Sequence, residues 1–78
     1  MLIGKRFTIV NATLALDVID GKIRAVTIPA GAIIKVVSGP SDGVQQMIDV
    51  LWESRTLTMF LIDVTRRGTE VVDQDADA

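Results

Sequence analysis

Three carboxylates sit in the middle of the chain, at Asp49, Glu53 and Asp63. Two of them in one pocket would make an acid–base pair, because environments that separate their pKa values let one act as acid and the other as base. Their spacing does not demand a shared pocket, and catalysis needs concavity as well as convergent groups. The 78 residues include no cysteine and no histidine. Thiol chemistry, disulfides and the commonest general base and metal ligand are therefore missing. Asp73, Asp75 and Asp77 alternate like the first ligands of a calcium loop, but the required glycine and distal glutamate do not follow. They read instead as a disordered acidic tail over residues 73–78. Gly39-Pro-Ser-Asp-Gly43 lacks the Gly-Lys-Ser/Thr that holds phosphate. The expectation is a protein that is not an enzyme and uses neither cofactor nor metal.

Binding has more to work with. Trp52, the only tryptophan, lies three residues before Arg55. Together they form a candidate ligand platform, a ring face with a cation beside it. The competing reading is a plug for one end of the fold, since tryptophan mostly serves burial. Eight basic and ten acidic residues give a net charge of −2. The cations are scattered, whereas a nucleic-acid footprint would concentrate them in a stripe. Nucleic acid is thus an unlikely partner, with Lys5, Arg6, Lys35, Arg66 and Arg67 the residues such binding would use. No apolar run is long enough to span a membrane. The charge after Met1-Leu-Ile-Gly is wrongly placed for a signal peptide. A cytoplasmic protein is expected.

These groups must be positioned by strands. Hydrophobic residues make up 49% of the chain with few aromatics, and the β-branched types dominate, which favours sheet. Met47 to Phe60 alternates as two strands about a tight turn. An even loop such as Glu53-Ser54 pairs Ile48 with Met59 and Val50 with Leu57, which keeps one face apolar. Glu-Ser is poor turn chemistry, because a two-residue hairpin wants residues tolerant of positive φ. Upstream, strands are predicted over Arg6–Val10, Leu14–Ile19, Ile23–Ile28, with Val26 and Ile28 inward, and Ala32–Ser38. Asp20-Gly21 and Pro29-Ala30-Gly31 supply turns, and residues 39–46 form a loop. One 3₁₀ turn over Ile62–Gly68 and a short strand over Glu70–Val72 complete a single domain, residues 1–72.

The order is strand, long excursion with its own hairpin, strand, loop, strand, tight turn, strand, helical turn, strand. That pattern resembles an SH3-like barrel over residues 6–72. Ile28-Pro-Ala-Gly-Ala-Ile-Ile-Lys-Val36, with Val50-Leu-Trp52, Met59-Phe60 and Asp63, is also similar to small uncharacterised bacterial proteins of this shape. The resemblance implies an all-β, five-stranded SH3-like barrel with residues 11–29 as an RT-type excursion. It does not carry over the polyproline groove, which depends on an aromatic lining, because this chain has no tyrosine.

One surface follows from alternation. If Ile34, Val36, Ile48 and Val50 face the core with Phe7 and Ile9, then Ile33, Val37, Met47 and Leu51 point outward together. Adjacent strands apolar on both faces are unusual in a solvated antiparallel sheet. Either the Leu14–Ile19 excursion covers them or a second copy does. The expectation is a protein-binding or assembly module that forms a homodimer through these four residues, with Asp49 beside Lys35.

Overall fold

The computed structural model describes residues 2–72, so the acidic segment 73–78 lies outside the described residues. The protein is mostly antiparallel sheet. Its strands are β1 (Arg6–Ile9), β2 (Thr13–Ile19), β3 (Lys22–Ile28), β4 (Ile33–Ser38), β5 (Met47–Trp52), β6 (Arg55–Phe60) and β7 (Gly68–Glu70), with one helix, α1 (Leu61–Arg67), before the last. The order across the sheet is β3-β2-β6-β5-β4-β1-β7. Among the described residues there are thus seven strands in an open sheet, where five in a barrel were expected. The excursion is itself a long hairpin, and it joins the sheet at the β6 edge through Leu16 opposite Thr58.

The β5–β6 hairpin has the even register. Ile48 faces Met59, Val50 faces Leu57 and Trp52 faces Arg55. Glu53 and Ser54 both take positive φ, at 50° and 66°. This is the twist a two-residue hairpin needs, adopted by residues that disfavour it. The core is Phe7, Ile9, Ile28, Ile34, Val36, Ile48, Val50, Leu57 and Met59, as alternation predicts, plus Ala15 and Val64, with Val26 packed against it. Thr13 is buried with them.

Two predictions near the chain end need correction. The segment before the last strand is seven residues of α-helix, not one 3₁₀ turn. Val64, fully buried, anchors it to the core, and burial of an apolar stripe outweighs its weak intrinsic propensity. Gly68 follows at an extended φ of −126°, so it does not close the helix in the left-handed region. Its role is steric: a Cβ there would stand 2.7 Å from the Val64 carbonyl oxygen. The last strand also begins two residues earlier than predicted, at Gly68, and pairs with β1. Beyond it, the Val71 amide still donates to the Arg6 carbonyl at 2.8 Å.

Candidate functional site

The three central carboxylates do not converge. Asp49 lies on the outer face of β5, Glu53 occupies the turn, and Asp63 is in the first turn of α1. Asp49 is held within the sheet: Ser38 Oγ donates to one carboxylate oxygen at 2.6 Å and Thr58 Oγ1 to the other at 2.8 Å. Among the described residues, no group of three potential metal-ligating side chains comes together. Nor is any helix among them long and apolar enough to cross a membrane.

Trp52 has the parity of Ile48 and Val50, so it points inward at the end of β5. There it is half-buried and packs against the core cluster. Arg55 stands opposite it across the hairpin. The guanidinium reaches Asp17 of β2 at 3.7 Å, an ion pair half open to water on the arginine side. Such a pair is worth roughly 0–1 kcal/mol. It ties the excursion to the hairpin more than it prepares a ligand platform.

Two shallow grooves were not legible in the sequence. One, of about 440 Å³, runs between the β4–β5 loop and α1 and is lined by Val44, Gln46, Phe60, Leu61 and Ile62, with no ionisable group. The loop is tied there by the Leu61 amide donating to the Gln46 carbonyl at 2.9 Å. The other, of about 260 Å³, lies at the base of the excursion beside Asp63 and Arg67. Arg67 donates there to the Ala12 carbonyl at 3.1 Å. Only contact between segments distant in sequence creates these grooves, so no local motif could have marked them.

The outer face of β4 and β5 is the most distinctive surface. Ile33 is 52% exposed, Leu51 40% and Val37 39%, with Met47 half-buried beside them. The excursion does not cover them. It extends the sheet beyond β6 and adds exposed apolar side chains of its own, Leu14, Val18 and Ile23. The ladder also departs from simple alternation. The ladder sets Lys35 opposite Leu51, and an irregularity between Val36 and Ser38 leaves Val37 as an extra residue, so Asp49 pairs with Ser38 rather than Val37. Asp49 therefore lies diagonal to Lys35 instead of beside it, and no ion pair within 4.0 Å joins them. On its other side Lys35 faces Arg6 of β1.

Comparison with family models, curated proteins and solved structures found no match for the chain.

Proposed function

We propose that the protein is a non-catalytic interaction module that self-associates through the outer face of β4 and β5. One observation carries this reading. Among the described residues, Ile33, Val37, Met47 and Leu51 remain at least partly open on a single face, and the β2–β3 excursion, which could have covered them, lies beyond β6. Monomers seldom leave a contiguous apolar patch of that kind without a use, and a twofold partner presenting the same patch is the simplest cover. The fold is read as an elaborated SH3-like barrel. Supporting that reading, β7, β1, β4, β5 and β6 are consecutive neighbours, the excursion follows the first of these in sequence, and the helix precedes the last. A cytoplasmic setting is part of the same proposal.

Sedimentation at micromolar concentration tests the function. The wild type is expected to sediment as a dimer. Leu51→Lys, at a position 40% exposed, is expected to give a folded monomer, because a charge on the apolar core of an interface opposes association while costing the fold little. A wild type that is monomeric at every concentration removes the proposal.

Nucleic-acid binding is the weaker reading. Of its five cations, Arg6 and Lys35 adjoin. Lys5 is paired with Glu70 at 3.5 Å and Arg67 is bonded to Ala12. Steeply salt-dependent binding of DNA or RNA would favour it.

A further inference from the structure

The outer face has a charge arrangement that points to how two copies meet. By strand parity, the outer face of the five strands β3, β2, β6, β5 and β4 carries one cation, Lys35, and one anion, Asp49, among otherwise uncharged side chains. Neither is in an ion pair among the described residues. Lys35 also stands directly across from Arg6, and like charges opposite one another destabilise a sheet unless a counter-charge is supplied. Asp49 accepts one hydroxyl on each oxygen, and a carboxylate has lone pairs for about four such bonds. Among the described residues, Lys35 and its neighbour Arg6 on β1 therefore lack an ion-pair partner, and Asp49 has spare acceptor capacity.

These groups are placed for self-recognition. Lys35 lies opposite Leu51, and Asp49 opposite the bulged Val37–Ser38 step. Lys35 and Asp49 thus occupy one diagonal of a four-cornered patch, with Leu51 and Val37 on the other. In a twofold interface, residue i meets j while j meets i. We infer that two copies pack face to face with the twofold axis along the Leu51–Val37 diagonal, so that Lys35 of each copy meets Asp49 of the other. Leu51 and Val37 then meet their own equivalents on the axis. Reflection across a diagonal also makes the strands of the two sheets cross steeply, one of the two geometries open to packed sheets. This inference rests on the self-association proposed above and adds its register.

The test separates the two. In a Lys35→Glu dimer both contacts become acid against acid, and in an Asp49→Lys dimer both become base against base. A mixture of the two variants allows a heterodimer in which both contacts are of opposite sign. Sedimentation of each variant alone is expected to show association weakened at least ~10-fold, and the mixture is expected to return to within about threefold of the wild type. Asp49→Lys also strands the Ser38 and Thr58 hydroxyls, so circular dichroism checks that it folds. A second measurement needs no variant. Carbodiimide joins a carboxylate to an amine in contact, and an equimolar mixture of isotope-labelled and unlabelled wild type should yield a mixed-label peptide joining Lys35 to Asp49. A wild-type dimer with no such peptide, or variants that associate as tightly alone as mixed, overturns the register and leaves self-association standing. A monomeric wild type overturns both.

Discussion

The two long hairpins, β2–β3 and β5–β6, are built by the same local rule and end in opposite circumstances. Each turns on two residues at positive φ, Asp20-Gly21 in one and Glu53-Ser54 in the other. Each pairs without interruption from turn to base. In β5–β6, with neighbours on both sides, Ile48, Val50, Leu57 and Met59 are all within 1% of complete burial. In β2–β3 only the base, at Thr13, Ala15 and Ile28, enters the core, and Leu14, Val18 and Ile23 are 56–69% exposed. Turn chemistry runs the other way. The exposed hairpin has the favourable Asp-Gly, and the buried one the unfavourable Glu-Ser. Packing holds a strand pair whose turn is poor, whereas a pair with little packing depends on its turn.

The widest separation between the hairpins should appear on truncation. Leu57→Ala is expected to cost about 2–5 kcal/mol, as for a buried aliphatic side chain. Val18→Ala should stay within about 0.5 kcal/mol, as at most surface positions. Denaturant titration of both gives the contrast directly, and equal losses would abolish it. Trp52→Ala should fall between them, at roughly half the 3–5 kcal/mol of a fully buried aromatic.

A smaller difference lies in the turns. Replacing Glu53-Ser54 by Asn-Gly should stabilise the protein by about 1 kcal/mol, because it removes two side chains from the left-handed region. Gly21→Ala should destabilise it by a similar amount, since Gly21 sits at a φ of 76°. A melting temperature lowered by the Asn-Gly variant would mean that Glu53 or Ser54 makes a contact worth more than its strain. The slightest and most local contrast should appear in amide hydrogen exchange. A two-residue turn makes Ile19–Lys22 a hydrogen-bonded pair, so Ile23, Ala25 and Thr27 direct their backbone groups to the free edge of β3. Those amides should exchange orders of magnitude faster than that of Val50 in mid-sheet. Protection at Ala25 would show that the edge is covered.

Much of this was legible in the residues. Alternation placed nine core side chains, and parity placed the β5–β6 register, because a one-residue slip would have reversed its faces. What escaped depends on contacts between distant segments. Val64 makes a helix of a stretch too broken to predict as one, and the β4–β5 register sets Lys35 opposite Leu51 rather than beside Asp49. Thr13 and Ala15 were hard to place because their strand alternates small and large residues without declaring an inner face. Exposure of Ile33, Val37 and Leu51 was foreseen from the pattern. Where the excursion would go was left between two outcomes, since no local signal says whether a hairpin folds over a sheet or extends it.

The position of β1 bears on how the chain reaches this state. β1 lies between β4 and β7, so residues 6–9 are paired with 68–70 at the far end of the described chain. Such a contact closes nearly the longest loop available, and its entropy cost falls due before the contact can compensate. The β4–β5–β6 meander needs only short closures. It is expected to order first, giving φ-values near 0.5–0.8 at Val50 and Leu57 and near zero at Thr69. During synthesis β1 would emerge early and wait, with one edge bare, until Gly68 to Glu70 had left the ribosome.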